Sequence, residues 1–157
     1  MRIKSNTHIN LWLLAILVWC SPIAAQTALI GDLRNGAPVL KDAKLATQVL
    51  LTGLPDAASV TDLSIVKAVE GDQVKYFLIA QISGAAFSAK GIELEQEGNQ
   101  LYAAAGPGVE VSCEGVNCRS CVIRFKGIRP WCDCVESGPG LEAARCDMHI
   151  KMVIQPW

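Results

Sequence analysis

The chain has 157 residues, 14 Lys and Arg against 15 Asp and Glu, and 51% apolar residues. That length suits one domain. A charged fraction of 18% excludes a disordered chain of high net charge, and the near-neutral balance excludes a strongly basic nucleic-acid binder, so no nucleic-acid partner is expected.

Residues 1–25 read as a signal peptide. Arg2 and Lys4 make a basic start, Leu11 to Trp19 form a short apolar run, and Ser21-Pro22-Ile23-Ala24-Ala25 offers small residues for cleavage. The run is too short to span a bilayer comfortably, and no membrane span is expected once it is removed. Trp19 directly before Cys20 argues against a lipid anchor on that cysteine. Cleavage after Ala25 leaves 132 residues, 26–157, as a single β-rich domain of secreted or periplasmic location. The remaining twelve basic and fifteen acidic residues give a net charge of −3.

In chain order, Asp42 to Leu51 can form a short helix or a strand near Gln48 to Thr52, and the helix is favoured. Ala43, Ala46, Val49 and Leu50 lie on one side, and Ala, Lys, Leu and Gln are good helix formers. Leu54-Pro55-Asp56 must turn. Three strand pairs follow, each bracketing a two-residue loop that begins with Gly. Ser64 to Val69 and Val74 to Ile82 flank Gly71-Asp72. The alternating run from Ile92 and Leu101 to Ala105 flank Gly98-Asn99. Cys121 to Phe125 and Pro130 to Cys134 flank Gly127-Ile128. Gly tolerates the positive φ that such turns demand at their first central position. Gly106-Pro107-Gly108 reads as a loop. At the end, Met148, Ile150, Met152 and Ile154 alternate with His149, Lys151 and Val153, the pattern of a strand. The expected fold is mainly β: an antiparallel meander of Gly-turn hairpins with a disulfide-stapled C-terminal hairpin and one short N-terminal helix.

Six cysteines remain after residue 25, all within a Cys-rich part at 113–146: Cys113, Cys118, Cys121, Cys132, Cys134 and Cys146. An even number in an exported chain points to disulfides. Three other chemistries use parts of the pattern. Cys113-x4-Cys118-x2-Cys121 matches the first three ligands of a plant-type [2Fe–2S] ferredoxin, but two further Cys interrupt before a suitable fourth. Cys118-x2-Cys121 is one zinc half-site, but Cys132-x-Cys134 is not a second knuckle of the usual spacing. Cys118-Arg119-Ser120-Cys121 has the form of a redox Cys-x-x-Cys, yet a β-like run follows it instead of a helix. No cofactor and no metal are therefore expected, and a thiol redox or metal-binding role for the cluster stands as the alternative.

The last hairpin predicts one bond. With Gly127-Ile128 as the loop, Lys126 faces Arg129, Phe125 faces Pro130, Arg124 faces Trp131, Ile123 faces Cys132 and Cys121 faces Cys134. The last of these is a non-hydrogen-bonded pair, with Cα atoms roughly 4.5 Å apart, near the lower end of what a disulfide accepts. A Cys121–Cys134 bond is expected, and Cys132 must then seek Cys113, Cys118 or Cys146.

Cys113-Glu114-Gly115, Cys118-Arg119-Ser120-Cys121, Cys132-Asp133-Cys134 and Cys146-Asp147-Met148-His149 together resemble small exported cysteine-rich bacterial proteins without an assigned function. The resemblance covers about the last third of the chain. It implies location and stapling, not an activity.

No enzymatic constellation emerges. His149 is the one histidine left after residue 25, too few for a His metal site, and its place on a strand suits an exposed imidazole. Glu93, Glu95 and Glu97 alternate with Ile92 and Leu94, the pattern of a solvated strand face. Trp131 is the candidate contact residue, since Trp is favoured at interfaces. The expectation is a non-enzymatic, disulfide-stabilised binding or structural module whose partner is unknown.

Overall fold

The structure, a computed structural model, describes residues 28–103, 107–135 and 143–154. The signal peptide read at 1–25 lies outside the described residues. Two strands open the described chain, β1 (Ala28–Arg34) and β2 (Ala37–Leu40), with Arg34 opposite Ala37. Asn35 and Gly36 between them both take positive φ, 51° and 76°, as a two-residue turn of the primed type requires. The expectations for the first sixty residues lack this hairpin, although Asn-Gly is the strongest short hairpin signal.

The helix follows as expected. α1 (Ala43–Leu51) is N-capped by Asp42, whose carboxylate accepts the Leu45 N–H at 2.9 Å, and it buries Ala46, Val49 and Leu50. The turn at Leu54-Pro55-Asp56 is held by Leu54 N–H to Leu51 O and Ala58 N–H to Pro55 O.

Long strands make up the rest: β3 (Ser59–Glu70), β4 (Gln73–Ser83), β5 (Ala89–Glu97), β6 (Gln100–Ala103), β7 (Pro107–Val116), β8 (Cys121–Lys126), β9 (Arg129–Cys134) and β10 (Arg145–Ile154). All three Gly-first turns form where expected, with Glu70 opposite Gln73, Glu97 opposite Gln100 and Lys126 opposite Arg129. Their glycines take φ of 59°, 59° and 62°. The loop expected at Gly106-Pro107-Gly108 is corrected in part. β7 already begins at Pro107, the first residue of a strand being a place where a missing N–H costs no ladder bond.

The fold is mainly β, as expected, with antiparallel pairing throughout. One path of strands runs β10-β7-β5-β6-β1-β2, and β3 and β4 join it through β5. The sheet curls until β2 lies beside β3, where Lys67 Nζ donates to Gly36 O at 3.4 Å. Inside the curl α1 closes a first core around Ile30, Leu50, Leu78, Ile92 and Leu101. Alternation then places every second residue of β4 and β5 on the opposite face. There a second core forms from Ala89, Val111, Cys113, Cys121 and Ile123, with Ile79, Phe125 and Cys132 packed against it. The hairpin β8–β9 is its lid. Across the sheet, Ile92 and Leu94 are buried while Glu95 and Glu97 are exposed and Glu93 pairs with Lys75 at 2.8 Å, so the carboxylates form a strand face directed outward.

Candidate functional site

The hairpin presents two faces. Opposed residues of an antiparallel pair share a face, so Cys121, Ile123 and Phe125 of β8 and Pro130, Cys132 and Cys134 of β9 look the same way. They look down on the sheet. Phe125 meets Phe77 of β4 with ring centroids 4.7 Å apart. Close approach is possible because Gly91 lies below: a Cβ there would stand 3.1 Å from Ile123 Cδ1 and 3.0 Å from Ile79 Cγ2. The Cys121 N–H donates to Ser88 Oγ at 3.0 Å, which ties the start of β8 to the segment leading into β5.

All six cysteines among the described residues are bonded, as Cys113–Cys132, Cys118–Cys134 and Cys121–Cys146. The expected hairpin register is present residue for residue, including Cys121 opposite Cys134, and Cys132 reaches Cys113, one of its three expected partners. The expected Cys121–Cys134 bond is corrected. Side chains in a strand stand roughly perpendicular to it, so these two thiols point side by side toward the sheet instead of at each other. Cys146 on β10 lies beneath Cys121, and Cys118 in the loop before β8 reaches Cys134. Each bond joins the hairpin to a different neighbour: β7, the 117–120 loop and β10. Such bonds close longer loops than a rung across the hairpin and restrict the unfolded chain more.

The spacings that suggested metal or redox chemistry are divided among these bonds. Cys113, Cys118 and Cys121, the ferredoxin-like triplet, enter three different disulfides, so the two cysteines of Cys118-x2-Cys121 are parted as well. The sulfurs of Cys118, Cys134 and Cys146 nevertheless lie within 4.8 Å of one another, and Cys118 Sγ is 3.6 Å from Cys146 Sγ, a contact between two different disulfides. These sulfurs become thiolate ligands only on reduction.

The bonds predict a tryptic map of the unreduced protein, digested at mildly acidic pH to suppress exchange. Arg129 is followed by Pro130 and resists cleavage, so the cysteines fall in peptides 91–119, 120–124, 127–145 and 146–151. Two covalent species are expected: 91–119 doubly bridged to 127–145, and 120–124 bridged to 146–151. A peptide 120–124 attached to 127–145 instead would restore the cross-hairpin bond.

The outer face of the hairpin carries Arg124 opposite Trp131, with Trp131 44% exposed, Val135 also exposed, and Arg124 Nε 3.7 Å from Asp133. A groove of about 360 Å³ runs beside β8, lined by Asp62, Ile79, Gln81, Val122, Arg124 and Val135. Asp62 sits at an irregularity of the β3–β4 ladder with φ of 49°, a conformation Asp tolerates better than most residues. β8 pairs with β9 alone among the described residues, so its other edge borders this groove. His149, expected to be exposed, is half exposed and lies 3.3 Å from Glu114 on β7.

A buried ion pair escaped the sequence reading. Lys90 Nζ on β5 lies 3.0 Å from Glu110 on β7, with side chains 3% and 14% exposed. Its ammonium also donates to Thr52 O at 3.3 Å, at the C-cap of α1, where the helix dipole favours a cation. The signal was the period of two: Lys90 is in phase with Ile92 and Leu94 and must share their buried face.

Comparison with protein families, with curated proteins and with solved structures gave no match. No described helix is long and apolar enough to cross a membrane. Three disulfides suit an oxidising compartment.

Proposed function

We propose that this chain is an exported, non-enzymatic binding or structural module, of the kind its cysteine-rich third resembles, working in the periplasm or outside the cell. One observation carries the reading: all six cysteines of the described domain are spent on locking one hairpin over the sheet. A rigid hairpin displays Trp131 and the adjoining groove at low entropic cost to binding. Trp131 is the contact residue of this reading, with Arg124 linking it to the groove.

Protein isolated from its native compartment, denatured without reductant, is expected to show no free thiol, no stoichiometric iron or zinc, and an intact mass lacking residues 1–25. Two or more free thiols, or about one equivalent of metal, transfers the function to the sulfur cluster.

That second reading, thiol redox chemistry, is favoured by the 3.6 Å contact between Cys118 and Cys146 together with Cys121 facing Cys134 in the ladder. A small thiolate attacking Cys134 releases the Cys118 thiolate. Cys118 attacks Cys146 and releases Cys121, and Cys121 attacks Cys134 and expels the small thiol. Two disulfides are exchanged for two others, Cys118–Cys146 and Cys121–Cys134, with no net oxidation. Brief exposure to catalytic glutathione, acid quench and the tryptic map separate the readings. An inert module keeps its two species, whereas exchange gathers all four cysteine peptides into one.

A further inference from the structure

Among the described residues, the second core is left partly uncovered on the β10 side. β10 shares its inward face with β7, placing Met148 beside Cys113, Ile150 beside Val111 and Met152 beside Val109. The hairpin covers Cys113 and Val111, meets β10 along β9 and bonds Cys146 near its start, yet Met148, Ile150 and Met152 are 40%, 54% and 72% exposed. β10 is also the end strand of its sheet and pairs with β7 alone among the described residues, over ten residues in an uninterrupted register. Sheet edges of this kind are ordinarily blunted by bulges, shortness or inward charges. β10 has no bulge, is long, and carries an apolar stripe on that face.

We propose that this edge is a self-association surface, on which two copies of the chain pair antiparallel through β10 around a two-fold axis at His149. This goes beyond the module reading by naming a partner, a second copy. A two-fold between antiparallel strands sets one residue opposite its own copy, so the register is defined by that residue. With His149 at the axis, Asp147 faces Lys151 of the second copy, and Lys151 faces its Asp147. Met148 faces Ile150 and Cys146 faces Met152, so the apolar stripes of both copies merge on one face between the two hairpins. Each His149 keeps its own Glu114 beside it at 3.3 Å. Moving the axis to Met148 sets Arg145 against Lys151, and moving it to Ile150 sets His149 against Lys151, so the charges select the central register. Opposite charges directly across a strand pair stabilise it and like charges oppose it.

Sedimentation velocity on the purified protein, from about 1 to 100 μM, is expected to show a monomer–dimer equilibrium. Asp147→Lys, which sets two Lys pairs across the axis, weakens the dimer by roughly tenfold or more. Lys151→Asp in the same chain restores it. The Arg145–Asp147 contact within one chain at 2.9 Å is lost in both variants, so rescue reports only the pairing between copies. Ile150→Lys abolishes the dimer while circular dichroism shows the fold retained. A protein that stays monomeric over this range, as when another protein covers the stripe, overturns the proposal. So does a dimer indifferent to Ile150→Lys, or a charge reversal that the swap does not rescue. The thiol titration tests the module reading separately, so either idea can fail without the other.

Discussion

Lys90→Met is expected to lower the unfolding free energy by about 3–5 kcal/mol, against a total of roughly 5–15 kcal/mol for a domain of ordinary stability. Removing the ammonium takes from the Glu110 carboxylate, its side chain only 14% exposed, the partner it holds at 3.0 Å. Thr52 O at the C-cap of α1 loses a donor as well. The loss has a structural reading, because Lys90 ties three elements together: the helix over the first core, β5 in the middle of the sheet, and β7 beneath the disulfide lid. Met keeps most of the Lys stem volume, so the cost is electrostatic and not a cavity. Lys90→Met with Glu110→Leu is then expected to recover most of the stability, since an apolar pair of similar volume replaces a buried ion pair at little or no net cost. Urea unfolding of the wild type, the single and the double variant checks this. A single-variant loss below about 1 kcal/mol would show the pair to be solvated and weak.

Removing Cys113–Cys132 by alanine at both positions is expected to cost about 2–5 kcal/mol, with the other two bonds intact. The bond spans 19 residues and joins β7 to β9, and Cys113 is fully buried in the second core. Its loss therefore adds a small packing defect to the freed chain entropy. The same double substitution at Cys118 and Cys134 is expected to cost less, because both are only partly buried and their loop is shorter, at 16 residues. Denaturant unfolding without reductant ranks the two variants. Equal losses, or a larger loss at Cys118 and Cys134, would show that the lid is held chiefly at its open end.

Local chemistry made much of this fold legible. Gly71, Gly98 and Gly127 occupy turn positions that demand positive φ, and each lies between strand-forming runs, so three hairpins and their registers could be read directly. Asp42 and the spacing of Ala46, Val49 and Leu50 define α1 in the same way. Asn35-Gly36 carried an equally plain turn signal, but the short strands around it are weakly patterned.

By itself, then, the sequence determined the helix, the three Gly-turn hairpins and the last strand, and that Cys121 faces Cys134, because these depend on residues within a few positions of one another. Tertiary structure alone decided which sulfur each cysteine meets, that Lys90 is buried against Glu110, and that Met148, Ile150 and Met152 remain uncovered while Val111 does not. A strand's period of two states which side a residue faces, but what waits on that side is set by how the sheet curls and where the hairpin lands. That choice depends on contacts between segments far apart in the chain, and no local pattern encodes it.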